Sequence, residues 1–166
     1  MTFVPAVVLG ATGYVGGELL RLIAAHPSFH LVAAVSESRA GEHIPDTFPH
    51  LASACNDTEF AAHDTWLERI PEGSPLALFS AAPHGASAAM IANALEQARA
   101  AGGGLVSVFE YTGILQNHPG LGQLFLGGLA QFALKRYQVG GDQRIAHTHV
   151  LEVYHFLFAS IGPRGA

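Results

Sequence analysis

The sequence has 166 residues, of which 49% are hydrophobic and 13% are charged, and its formal net charge is −5. So small a charged fraction excludes an intrinsically disordered chain, and an acidic balance without a basic stripe argues against a nucleic-acid partner. The single cysteine, Cys55, excludes an intramolecular disulfide and a cysteine-rich zinc site.

The N-terminus and the apolar segments indicate a cellular compartment. Residues 1–5 lack the basic region of a signal peptide. The longest apolar stretch, residues 114–134, is interrupted by polar side chains, so it does not reach the roughly 18 uninterrupted residues of a membrane span. We therefore expect a cytoplasmic protein that does not bind membranes.

The first part of the chain, residues 1–104, alternates the patterns of strands and helices. Short apolar runs typical of strands buried on both faces predict strands at 4–9, 29–35 and 76–81. Apolar residues at helical spacing, ended by Pro27 in the first case, predict helices at 18–26, near 64–69 and at 86–101. This order predicts an α/β fold, a Rossmann-like doubly wound parallel sheet.

The rest of the chain, residues 105–166, is called the tail and has no clear order of elements. Residues 1–104 carry 4 basic and 10 acidic side chains, whereas the tail carries 4 and 3. A strand at 105–108, a helix within 123–137 and an apolar element at 150–161 are its predicted elements. We expect the boundary of the dinucleotide-binding domain at residue 104, followed by an atypical, irregular C-terminal segment.

A glycine loop between the first strand and the first helix carries the strongest functional signal. Its pattern, G-x-x-G-x-x-G, supplies a tight turn, lets the backbone approach a pyrophosphate and packs the new helix close to the sheet. The helix N-terminus then offers unpaired N–H groups to the phosphates. The residues predicted to bind the cofactor here are Gly10, Thr12, Gly13, Tyr14, Val15 and Gly16.

The end of the second strand bears on which dinucleotide binds. Ser36 and Ser38 can donate hydrogen bonds to a 2′-phosphate, and the guanidinium of Arg39 can pair with it. This pattern favours NADP. Glu37 leaves NAD as the alternative, because an acidic residue at this position commonly binds the ribose 2′-hydroxyl.

A second loop follows the strand at 76–81 and opens a helix. Small residues such as Ala82 allow close approach of a cofactor at the carboxyl end of the sheet, and Pro83 and Gly85 fix the loop. Ser87 is a candidate N-cap. His84 has two open interpretations, one facing the nicotinamide or substrate and one bonded to the backbone.

The remaining histidines and the cysteine do not form a recognisable reactive site. His147 and His149 have a spacing that places both rings on one side of a strand, and His155 is nearby, but no acidic or cysteine cluster joins them. Cys55 has no adjacent base or glycine turn. We therefore predict no metal site and assign no catalytic residue.

Several segments resemble the N-acetyl-γ-glutamyl-phosphate reductase family, within the semialdehyde dehydrogenase superfamily. The resemblance covers residues 4–104, and aspartate-semialdehyde dehydrogenase is a relative that fits less well. Its segments are Gly10-Ala11-Thr12-Gly13-Tyr14-Val15-Gly16-Gly17-Glu18-Leu19-Leu20-Arg21-Leu22, His26-Pro27, Ser36-Glu37-Ser38-Arg39-Ala40-Gly41, Phe48-Pro49-His50-Leu51 and Ala82-Pro83-His84-Gly85-Ala86-Ser87.

The resemblance implies an NADP-dependent reductase of an acyl phosphate in arginine biosynthesis. In that family a cysteine thiolate displaces phosphate, and the resulting thioester accepts hydride from NADPH to give the semialdehyde. The family places that cysteine in a Pro-Gly-Cys segment, which this sequence lacks. We therefore expect an N-terminal, cofactor-binding fragment whose tail is frame-shifted or divergent.

Two other functions stay open at this stage. A regulatory or interaction module would bind NADP(H) without catalysis and dock through an apolar tail, which would also favour a homo-oligomer. The second is another reductase or epimerase that uses the same loop. The short-chain dehydrogenase class is disfavoured, because Tyr137 follows the only lysine, Lys135, and no Tyr-x-x-x-Lys pair exists.

Overall fold

The computed structural model describes residues 3–70, 74–101, 104–114, 130–139 and 147–151. The strands are β1 Val4–Leu9, β2 Phe29–Val35, β3 Phe60–Ala61, β4 Leu76–Ser80, β5 Gly104–Ile114, β6 Ala130–Val139 and β7 His147–Leu151. The helices are α1 Tyr14–Ala24, α2 Ile44–Thr47, α3 Ala52–Cys55 and α4 His84–Ala100, with 3-10 turns at Pro49–Leu51 and Trp66–Arg69. The described strands form one sheet in the order β3-β2-β1-β4-β5-β6-β7.

The first five strands are parallel and confirm the predicted doubly wound α/β fold. β1 pairs with β2 on one side and with β4 on the other, so the winding reverses direction at β1. Alternate residues of β1 face opposite layers, as period-two geometry requires. Ala6 and Val8 pack in the cluster that contains α1, whereas Val7 and Leu9 pack in the cluster that contains α4.

Helix α1 begins at Tyr14, four residues earlier than the predicted start at 18, because its glycines lie inside the helix. A Cβ at Gly16 would clash with the backbone oxygen of Ala11, and a Cβ at Gly17 would lie 2.6 Å from the ring of Phe48. These two glycines therefore let the helix approach the glycine loop and the segment after α2. The apolar face of α1 is buried at Leu19, Leu20, Leu22 and Ile23.

The described part of the tail is strand and continues the same sheet. β5 lies parallel to β4, β6 is antiparallel to β5, and β7 is antiparallel to β6. The predicted helix within 123–137 is therefore wrong for residues 130–137, where pairing with the long strand β5 decides the structure. The predicted strand at 105–108 lies within β5, whose pairing with β6 shifts its register between Tyr111 and Gly113. The tail residues other than those of β5, β6 and β7 lie outside the described ranges.

Candidate functional site

Three strands end at one point of the sheet, and the sequence-predicted site residues follow them. Leu9 of β1 pairs with Val35 of β2 and with Ser80 of β4, so the three carboxyl ends lie side by side. Backbone bonds continue past the strands, since the Ala11 N–H donates to the Val35 oxygen at 3.0 Å. This point is where the winding reverses, and ligands of open α/β sheets bind there.

Gly10 brings the first and second loops into contact. Its φ is +69°, a left-handed conformation that favours glycine, and an added Cβ would lie 2.9 Å from the Ala82 nitrogen. The Ala81 N–H also donates to the Leu9 oxygen at 2.9 Å. The two loops predicted to bind the cofactor are therefore packed against each other.

The start of α1 leaves an open space in front of its first turn. Gly13 precedes the helix with an extended backbone and no side-chain cap, and its added Cβ would meet only the Gly10 oxygen, at 3.9 Å. The side chain of Tyr14 is 86% exposed, while Val15 is half-buried. The first-turn N–H groups of a helix lack intrahelical acceptors, and no acidic side chain offsets the positive helix end here.

Hydroxyl groups from the first loop and from the end of β2 lie together. The Thr12 and Ser36 oxygens are 3.4 Å apart, and those of Ser36 and Ser38 are also 3.4 Å apart. Ser36 is only 5% exposed. Because these distances exceed those of strong O–H···O bonds, an anionic acceptor would be a better partner for the three hydroxyls.

The two charged residues beside these serines have different partners. Arg39 Nη1 donates to Glu42 Oε2 at 2.7 Å. The carboxylate of Glu37 instead accepts the His63 N–H at 3.4 Å, so it is directed toward the residues after β3. Glu42 was missed by sequence reasoning, although its three-residue spacing from Arg39 was a visible signal.

A buried pair of hydroxyl groups connects the end of β4 to helix α4 across the second loop. The oxygens of Ser80 and Ser87 are 2.9 Å apart, and both residues are buried. Ser87 is not the N-cap, because α4 begins at His84 and the Ser87 N–H donates to the Pro83 oxygen. The predicted contacts of the His84 side chain lie outside the described side chains.

Cys55 is the last residue of α3, and it is buried. Burial raises the pKa of its thiol, which disfavours the thiolate that nucleophilic attack requires. Within the described ranges, no three His, Cys, Asp or Glu side chains converge as metal ligands, and no helix is long and apolar enough to span a membrane.

Comparison with known proteins assigns the chain to a family. Residues 5–101 match the family model described as the semialdehyde dehydrogenase NAD binding domain. The chain belongs to this family. The predicted resemblance to N-acetyl-γ-glutamyl-phosphate reductases is confirmed for this semialdehyde dehydrogenase domain.

Two curated relatives illustrate the extent of the match. The N-acetyl-gamma-glutamyl-phosphate reductase of Acidothermus cellulolyticus is 46% identical over 91 residues, which are 55% of this chain and 25% of the relative. That of Salinispora tropica is 44% identical over an alignment of 92 positions, which covers 51% of this chain and 24% of the relative. The chain thus spans about a quarter of the length of the curated relatives it matches.

A solved structure supports the fold. The aspartate semialdehyde dehydrogenase of Candida albicans, determined with NADP, superposes with a TM-score of 0.52 at 21% identity. The match covers 66% of this chain and 30% of that structure. The semialdehyde dehydrogenase domain therefore shares its Rossmann-like fold with that enzyme.

Proposed function

We propose that this domain binds NADP(H) and serves the reduction of N-acetyl-γ-glutamyl phosphate to its semialdehyde, a cytoplasmic step of arginine biosynthesis. The observation that carries the proposal is the convergence of two loops and three hydroxyls at the carboxyl ends of β1, β2 and β4. Gly10 contacts Ala82 there, and Thr12, Ser36 and Ser38 lie alongside. The domain belongs to an NAD-binding family, which supports a nucleotide at this position.

The residues present fit a dinucleotide. Space at Gly13 and the N–H groups of Tyr14, Val15 and Gly16 suit a pyrophosphate, because a helix N-terminus favours anions. Ala82 and Pro83 would adjoin the nicotinamide half. When bound, NADPH supplies the hydride, and the chain's own residues hold and orient it.

Two features of the β2 end favour NADP over NAD in this proposal. Ser36, Ser38 and Arg39 offer neutral and cationic donors to a 2′-phosphate. Glu37, the group suited to a 2′-hydroxyl, is directed toward the His63 N–H. The neighbour of known structure was determined with NADP, which agrees with this choice.

The proposal assigns cofactor binding to the residues of the two loops and of the β2 end. It assigns no catalytic nucleophile. Cys55 is the only cysteine in the sequence. Its thiol is buried and its pKa is raised, so attack on an acyl phosphate from this residue is disfavoured. The same observation favours the second candidate, an NADP(H)-binding regulatory or interaction module without catalysis.

Equilibrium titration with NADPH and with NADH tests the proposal, because the two coenzymes differ only in the 2′-phosphate. We expect NADPH to bind about tenfold more tightly or better, since hydrogen bonds to charged groups contribute about 1.5–3 kcal/mol. Binding is followed by coenzyme fluorescence. Arg39→Gln is the matched variant. It should weaken the binding of NADPH while leaving the affinity for NADH unchanged.

Two results separate the alternatives. Equal affinity for the two coenzymes would contradict the assignment of NADP. Oxidation of NADPH on addition of N-acetyl-γ-glutamyl phosphate would show that this chain catalyses the reaction by itself, whereas binding without turnover agrees with a cofactor domain. The absence of binding to either coenzyme would refute the proposed function.

A further inference from the structure

Arg39, the cation proposed to bind the 2′-phosphate, already has an anionic partner within its own loop. Its Nη1 donates to Glu42 Oε2 at 2.7 Å, and the two side chains are 45% and 46% exposed. A guanidinium binds carboxylate and phosphate through the same planar set of N–H donors. The carboxylate of Glu42 and the 2′-phosphate are therefore competing acceptors.

The backbone holds Glu42 in place independently of Arg39. Gly41 has a φ of +83°, and its N–H donates to the Phe60 oxygen at 2.9 Å. The Phe60 N–H donates in return to the backbone carbonyl oxygen of Glu42 at 2.9 Å. These bonds anchor the backbone of Glu42 to β3, so the residue keeps its place in the loop when Arg39 changes partner.

We propose that Glu42 is a specificity-determining residue: it lowers the preference of this site for NADPH over NADH. This inference rests on the proposed function. Before the 2′-phosphate can use the full set of Arg39 donors, the Arg39–Glu42 ion pair must loosen. NADH, which has a 2′-hydroxyl, does not meet this cost.

The size of the effect follows from the exposure of the pair. Ion pairs between half-exposed side chains are weak, so the phosphate displaces Glu42 and NADPH still binds. Glu42 thus reduces the discrimination between the coenzymes without abolishing it. The effect acts through Arg39, which makes Glu42 a positioning residue.

Glu42→Gln tests the proposal because the amide keeps the size of the side chain and removes its charge. We expect the Kd for NADPH to fall about two- to fivefold and the Kd for NADH to stay unchanged. Glu18→Gln is the matched control, since Glu18 accepts a hydrogen bond from Arg21 Nε at 2.9 Å with the same three-residue spacing and comparable exposure. This control should leave the ratio of the two affinities unchanged.

A double-mutant cycle with Arg39→Gln locates the effect. We expect Glu42→Gln to have no influence on NADPH binding when Arg39 is absent. An effect that persists in that background, or weaker NADPH binding by Glu42→Gln alone, overturns the proposal. A wild-type chain that prefers NADPH while Glu42→Gln changes nothing contradicts this inference alone, whereas a chain that binds neither coenzyme contradicts the proposed function as well.

Discussion

Gly10 meets two separate physical demands at a single residue. Its φ of +69° favours glycine, and a Cβ there would lie 2.9 Å from the backbone nitrogen of Ala82. We expect Gly10→Ala to lower the free energy of unfolding by about 1–3 kcal/mol, because the left-handed conformation and the close contact both oppose a side chain. Urea denaturation measures this loss, and titration with NADPH should show weaker binding.

Gly41→Ala is the control that separates backbone strain from the steric contact made by a Cβ. Its φ is +83°, but an added Cβ would meet no atom within 4 Å. It should therefore cost only the conformational part, about 1 kcal/mol. If Gly10→Ala proves no more destabilising than Gly41→Ala, the close approach of the two loops is not as described.

The residues of the site differ in how visible they are in the sequence. The glycines and the serines after β2 were predictable, because a strand-loop-helix pattern gives these positions a defined place. The Arg39–Glu42 pair was missed, because its three-residue spacing is visible in the sequence but the contact also depends on the turn at Gly41. The contact between Gly10 and Ala82 was likewise hidden, because it joins segments 72 positions apart in the sequence.

The connection between α1 and β2 depends on a neutral histidine. Nδ1 of His26 accepts the N–H groups of Ser28 at 3.0 Å and Phe29 at 3.1 Å, and its ring stacks on Phe29. Burial lowers the pKa of His26 below its ordinary value of about 6.5. Protonation at Nδ1 would remove both acceptor roles.

The sign of the pH dependence follows from that lowered pKa. Between the folded and unfolded pKa values the unfolded chain binds more protons, so stability rises with pH. The contribution of His26 is therefore complete above about pH 6.5 and is lost as the pH falls through the folded pKa. We expect His26→Ala to cost about 1 kcal/mol at pH 8 and less at pH 5, as measured by urea denaturation.

A control and a contradictory result complete this test. His30→Asn changes an exposed histidine of the adjacent strand and should cost less stability at pH 8 than His26→Ala, because exposed side chains contribute little. If the wild type and His26→Ala lose stability in parallel from pH 8 to pH 5, the neutral histidine does not stabilise this connection.

Strands were more predictable than helix starts or the tail. β1 and β2 have the predicted bounds, because their runs of six and seven residues are mostly apolar and are followed by Gly10 and Ser36. The predicted start of α1 was too late, because glycines are typical of loops and only their packing shows that they lie inside the helix. β6 was expected to be helical because its strand character arises from pairing with β5, a long-range contact that local spacing does not reveal.

At the scale of the whole molecule, the described structure is a cofactor-binding sheet. Strands β1 to β5 are parallel. The antiparallel strands β6 and β7 extend the sheet at the edge remote from β3. Resemblance along residues 4–104 identified the family from the sequence, and the match over residues 5–101 agrees with it. The boundary at residue 104 stays a prediction.

The central claim is that a dinucleotide binds at the carboxyl ends of β1, β2 and β4, and backbone amide chemical shifts during NADPH titration test it most directly. We predict the largest changes at 10–16, 36–39 and 81–85. The open cavity on the amino-terminal side of β2, lined by His30, Val32, Glu59 and Arg69, among others, should not respond. Shifts concentrated at that cavity, with an unchanged glycine loop, would contradict the account.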